Sequence, residues 1–169
     1  MARDVAIPVR HGPMIHDCAI TTSYVLIFDL PITFSFRALL GGARLPYRWN
    51  SRHPARVGLL PRTGGASDVR WLELEPCYLF HAGNAYDVDD GGVVVDVVVY
   101  TTMFDRSRQG LETSATRLER WRLDPGGIRR DVLSEEKQEF PRCDERRTSH
   151  PYRRHDLHTG ATRGLTLCA

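Results

Sequence analysis

Lysine is almost missing from this chain. Lys137 is the single lysine among 23 basic residues, the remainder being arginine. The skew fits a GC-rich coding sequence better than an anion-binding surface, because 21 acidic residues leave a formal net charge of only +2. A balance that close to neutrality lacks the basic footprint of a nucleic-acid binder. Paired cysteines are missing too. Cys18, Cys77, Cys143 and Cys168 show no CxxC spacing, so neither a zinc ribbon nor a redox dithiol is expected, and the thiols read as reduced. The longest apolar stretch, residues 24–36, is interrupted by Asp29, Pro31, Thr33 and Ser35, which excludes a membrane-spanning helix there. Residues 1–10 carry no apolar export segment, so a cytoplasmic protein is the expectation. Finally, no segment keeps a 3.6-residue apolar period over three turns, and a helical fold is not expected.

What is there is strand after strand. Residues 23–28 (SYVLIF) form a β-branched and aromatic run closed by Asp29-Leu30-Pro31. Residues 56–61 (RVGLLP) form a second, followed by the glycine-rich loop 62–67, and residues 69–74 alternate apolar with polar. Asp89-Asp90-Gly91-Gly92 offers a turn that opens into Val93-Val94-Val95-Asp96-Val97-Val98-Val99-Tyr100, the strongest strand in the chain. Residues 118–123 and 128–133 flank the turn Asp124-Pro125-Gly126-Gly127 as a second hairpin, read as a surface one. Short strands punctuated by Gly, Pro and Asp indicate an all-β antiparallel architecture in which hairpin-sized units recur. Residues 144–158, dense in Arg and His, read as a solvated tail.

Two of the seven histidines differ from the rest. His11 falls in a loop, His53 in a polar arginine-rich turn, and His150, His155 and His158 in the basic tail, all positions where a solvated imidazole is the ordinary outcome. His16 and His81 instead sit at the start of apolar strand-like runs, flanked by residues of the buried type. Imidazoles at strand starts can converge on one metal at the end of a sheet axis, although a lone histidine in such a place is more often a hydrogen-bonded core residue.

Longer context distinguishes the two. Residues 14–21 (MIHDCAIT) followed by Asp29-Leu30-Pro31 resemble the "MHDFAIT … DLP" signature of the carotenoid cleavage oxygenases, a family of carotenoid, apocarotenoid and stilbene dioxygenases with the retinoid isomerase of the eye. Residues 47–50 (YRWN), 56–62 (RVGLLPR) and 69–71 (VRW) follow in the family's order. Residues 80–85 (FHAGNA) resemble its "F-H-x-x-N-A" motif, and residues 139–146 (EFPRCDER) its "EFPRxDxR" motif.

The resemblance implies a seven-bladed β-propeller carrying a non-haem Fe(II) on four histidines, of which His16 matches the second and His81 the third. It also implies that Glu139 accepts the distal N–H of His81, which fixes the tautomer and raises ligand basicity. Asp17, beside His16, matches no family ligand and is given a structural role rather than a place in a facial triad. Tyr78 and Phe80 are expected to pack between blades. The implied reaction is Fe(II)-dependent cleavage of a conjugated C=C bond by O2. The implied partners are an apolar conjugated substrate and O2, with peripheral membrane contact for substrate uptake and no nucleic acid.

Motifs for the first and fourth histidines and for a further glutamate have no counterpart here. A segment between the "RPYRYGY"-like residues 148–153 and the "KHDLxTG"-like turn at 154–160 is also absent. The expectation is therefore an incomplete propeller arc over residues 1–153, followed by a divergent tail over 154–169. The alternative to an oxygenase is a non-catalytic β-sheet fragment without competent iron, which persists by oligomerising or binding a partner.

Overall fold

The computed structural model describes residues 4–104, 115–137, 139–143 and 157–160. In chain order the elements are β1 (Cys18–Ile20), β2 (Tyr24–Asp29), β3 (Ile32–Phe34), α1 (Phe36–Leu40), β4 (Tyr47–Trp49), β5 (Arg56–Pro61) and β6 (Arg70–Glu73). They continue with β7 (Tyr78–Asp87), β8 (Val93–Tyr100), β9 (Thr116–Asp124), β10 (Gly127–Ser134), β11 (Glu139–Cys143) and β12 (Leu157–Gly160). Two four-stranded antiparallel sheets dominate, ordered β1-β2-β5-β6 and β7-β8-β9-β10; β3 pairs with β4 and β11 with β12. These are two successive propeller blades and the start of a third, an open all-β arc as the sequence led one to expect.

β8 shows why the chain folds this way. Its six valines are all 5% exposed or less. Val93, Val95, Val97 and Val99 join Leu26, Phe28, Val57 and Leu59 of the first sheet in the main core, with Trp121 and Leu123 of β9. Val94 and Val98 face the other way, against Tyr86 and Leu118. Burying both faces of a strand selects the uninterrupted β-branched run, each side chain contributing roughly 1.5 kcal/mol or more. The single polar position, Asp96, is fully buried and lies opposite Arg120, whose Nε and terminal nitrogen each donate to it at 2.8 Å. Gly58 is needed where β5 meets β6, because a Cβ there would lie 2.8 Å from the Trp71 ring. That ring in turn carries the Arg56 guanidinium at 4.0 Å.

Three sequence expectations change. The residues 118–133 hairpin is not wholly at the surface: Trp121 and Leu123 are fully buried, and of its two strands only β10 lies at an edge of the sheet. A strand between β8 and β10 must fill the core whatever its charge content. His53 is not in a solvated turn; it is 3% exposed, with Nε2 at 2.7 Å from Asp29 Oδ1 and Nδ1 at 3.1 Å from His11 Nδ1. Asp29 ends β2 in the core and requires donors, which His53 and Arg56 Nε (2.8 Å) supply. Residues 157–160 form a strand on β11 rather than a turn, with Cys143 opposite Leu157. The rest of the tail, including His150 and His155, lies outside the described residues.

A polar cluster closes the outer half of the second sheet. Glu119, 1% exposed, accepts from Trp121 Nε1 (2.6 Å), from Arg130 Nε (2.7 Å) and its terminal nitrogen (3.1 Å), and from Arg117. Burial pushes its carboxyl up, but the hydrogen bonds from Arg130, Trp121 and Arg117 outweigh that and hold it below the usual carboxylate range. Beside it, burial pushes the free thiol of Cys77 up to about 12, so this cysteine is an inert core group.

Candidate metal centre

The first strands of three of the sheets, β1, β7 and β11, pack side by side, β7 between the other two. His16 lies two residues before β1, His81 within β7 and Glu139 at the head of β11. His81 is thus inside its strand rather than ahead of it. What turns it is a break in the ladder: Leu79 pairs with Val99, Ala82 with Val97 and Asn84 with Asp96, so β7 carries extra residues against β8. Such bulges bend a strand and re-aim a side chain. Phe80 and His81 fall between registered pairs.

The two imidazoles meet edge to face, with ring centroids 5.1 Å apart and planes at 86°. His16 Nδ1 donates to the Phe80 carbonyl at 3.1 Å, and His81 Nδ1 donates to Glu139 Oε1 at 2.8 Å. A carbonyl or an ionised carboxylate only accepts, so each ring carries a proton on Nδ1, and in the neutral imidazole the lone pair is then on Nε2. The His81 and Glu139 side chains are 28% and 20% exposed. Asp17 faces backbone instead: Oδ1 accepts from Cys18 N at 2.8 Å and Oδ2 from Ala82 N at 2.9 Å. Both its oxygens are engaged, in keeping with the structural role expected of it.

Aromatic residues wall one side. Phe80 packs edge-on against His16 (5.2 Å), Tyr78 (5.1 Å) and Tyr100 (5.5 Å), and lies 6.5 Å from Phe104. Tyr78 is 1% exposed, and its hydroxyl donates to the Met14 carbonyl at 3.1 Å, tying the segment before His16 to β7. Burial raises that phenol well above its ordinary pKa, so it stays a donor at neutral pH.

The donor set suits a metal. Two imidazoles bound through Nε2 to one ion at about 2.1 Å hold their ring centres about 5 Å apart, which is the spacing found. Nitrogen donors backed by an oxygen acceptor suit Fe(II) and other borderline ions. Among the described residues no group of three or more His, Cys, Asp or Glu side chains is arranged to hold a metal ion. The Phe80 carbonyl and the Ala82 amide had no sequence signal, because backbone groups leave none.

The family model described as "Retinal pigment epithelial membrane protein" matches residues 1–155. A carotenoid cleavage oxygenase of Mycobacterium tuberculosis is 36% identical over 89% of this chain and 39% of its own length. That alignment runs over 195 residues, more than the 169 of the chain, so the relative has internal residues with no counterpart here. The carotenoid 9,10(9',10')-cleavage dioxygenase of Crocus sativus is 30% identical over 90% of this chain and 29% of its own. The solved structure of Pseudomonas brassicacearum lignostilbene dioxygenase superposes with a TM-score of 0.74 at 29% identity, matching 88% of this chain to 33% of that one. The chain thus spans less than half the length of these relatives.

Proposed function

Because the chain belongs to the retinal pigment epithelial membrane protein family, we propose that it is part of an Fe(II)-dependent dioxygenase. The enzyme would cleave a conjugated C=C bond with O2, each carbon taking one oxygen atom to give two carbonyl products. The observation that carries this reading is the His16–His81 pair, two Nδ1-protonated imidazoles set at the spacing of ligands to one ion. His16 and His81 would hold the iron, and Glu139 would orient His81 and strengthen it as a donor. When bound, Fe(II) supplies the O2 chemistry that amino-acid side chains lack. The protein's part is to fix the ligands and keep water away, for which the aromatic wall of Tyr78, Phe80 and Tyr100 is suited.

Carotenoids, apocarotenoids and stilbene-like compounds are the candidate substrates, since relatives are named for cleaving both carotenoid and lignostilbene. All are apolar and conjugated. Among the described residues no helix is long and apolar enough to cross a membrane. A peripheral contact for substrate uptake is instead supported by α1, where Phe36 and Leu40 are 74% and 87% exposed, with Arg37, Arg44 and Arg48 close in sequence. The proposal places the protein in the cytoplasm.

The lack of a third ligand among the described residues favours one second reading: a non-catalytic β-sheet piece without competent iron. One experiment separates the two. The 169-residue chain is purified anaerobically with Fe(II), its iron is counted, and it is then incubated with O2 and an apocarotenoid or a hydroxystilbene. Bound iron with paired carbonyl products supports the oxygenase; absence of both supports the second reading.

A further inference from the structure

We propose that Asp17 is a positioning residue that sets the distance between His16 and His81 by clamping the segment that leads into β1 to β7. The inference rests on reading those imidazoles as a metal pair. β7 lies at an edge of its sheet, so the backbone groups on its far side face neighbouring segments instead of a fifth strand of that sheet. Phe80 and Ala82, two residues apart, point these groups the same way. Both are taken up by the same dipeptide: the Phe80 carbonyl accepts from His16 Nδ1 at 3.1 Å, and the Ala82 amide donates to Asp17 Oδ2 at 2.9 Å. His81, between them, is therefore gripped on both sides by residues 16 and 17.

The second oxygen completes the clamp. Asp17 Oδ1 accepts from Cys18 N at 2.8 Å, which fixes the carboxylate against its own backbone at the entry to β1. One carboxylate thus joins the Asp17–Cys18 peptide to the His81–Ala82 peptide. A carboxylate is suited to this because it accepts on both oxygens, and charge-assisted bonds of this length are stronger than neutral ones. An amide would turn an N–H toward one of the two donors. The ladder break at residues 79–84 adds to the need: a bulged strand is held less firmly by β8, and the Asp17 bond restrains it from the other side. Glu139 fixes the rotation of the His81 ring, whereas Asp17 fixes where its backbone sits relative to His16.

The test uses the 169-residue chain, as wild type, Asp17→Asn and Asp17→Ala, with nitrogen-15-labelled histidine. Long-range proton–nitrogen spectra of the metal-free wild type should report Nδ1–H tautomers for both His16 and His81. In Asp17→Asn, His16 should average between its tautomers, while His81 keeps its own through Glu139. Calorimetric titration with Co(II) should show affinity lowered about 10- to 100-fold. A variant with reduced thermal stability but an unchanged His16 tautomer and unchanged Co(II) affinity would overturn the proposal. If the wild type takes up no Co(II), the iron reading fails, and the tautomers still decide the clamp. Should neither variant fold, hydrogen exchange of the Ala82 amide in the wild type decides: strong protection supports the clamp, and exchange at the rate of a free edge amide refutes it.

Discussion

Glu119 and Glu139 are both carboxylates that hold a ring nitrogen, and they end in opposite situations. Glu119 is 1% exposed and takes donors from Arg117, Trp121 and Arg130, with the Arg130 guanidinium 5.2 Å over the Trp121 ring. Every partner there is a donor alone. Glu139 meets an imidazole, which donates at Nδ1 and keeps a lone pair at Nε2. The outer cluster uses its charges to complete a core. The inner one uses a carboxylate to orient an imidazole, at a place where His81 remains 28% exposed.

The largest effect that would test this contrast lies in the outer cluster. Glu119→Ala leaves the largely buried Arg130 cation without its counter-ion and the Trp121 N–H without its acceptor, and should destabilise the fold by about 3–5 kcal/mol in urea denaturation. A loss below about 1 kcal/mol would mean that water serves those donors equally well. Glu139→Ala should act in the opposite manner, with Co(II) affinity falling up to about 100-fold. Its denaturation midpoint should barely move. Glu139→Gln, which retains an acceptor and loses the charge, should cost about tenfold. Equal stability losses at both glutamates would erase the distinction.

Acid sharpens the comparison further. Glu119 is held below its unfolded carboxylate value, so its stabilisation is complete above a pH of about 4.3 and is lost as pH falls through the lower folded value. The melting temperature of the wild type should thus drop steeply below that pH, and the drop should be shallower in Glu119→Gln. An identical acid slope in the two proteins would count against the hydrogen bonds as the cause. The smallest effect is expected at α1: Leu40→Ser should change stability by no more than about 0.5 kcal/mol. It should nonetheless reduce co-sedimentation with vesicles of phosphatidylcholine and phosphatidylglycerol if the helix touches membranes.

Legibility in the sequence followed burial. β5 and β8 begin and end where the residue pattern places them, because strands packed on both faces demand unbroken apolar runs. Both four-residue turns of the second sheet were readable from Gly, Asp and Pro. The three-residue strands β3 and β4 and the single-turn helix α1, capped by Ser35 on Ala38 N, were not, since pieces so short have no period. His53 was misjudged for a related reason: its neighbours are polar, but its burial is dictated by Asp29, 24 residues away. The pairing of His81 with Glu139, 58 residues apart, was foreseen through motif resemblance alone.

The sequence by itself determined the all-β class, the main strands and the two histidines worth following, because alternation, turn chemistry and motif order are local properties of the chain. Only the tertiary structure decided that His16 and His81 lie edge to face at 5.1 Å, that a ladder break aims one of them, and that Asp17 holds backbone rather than metal. Register and cross-strand contact are relations between segments that packing alone brings together, and no single segment can encode them.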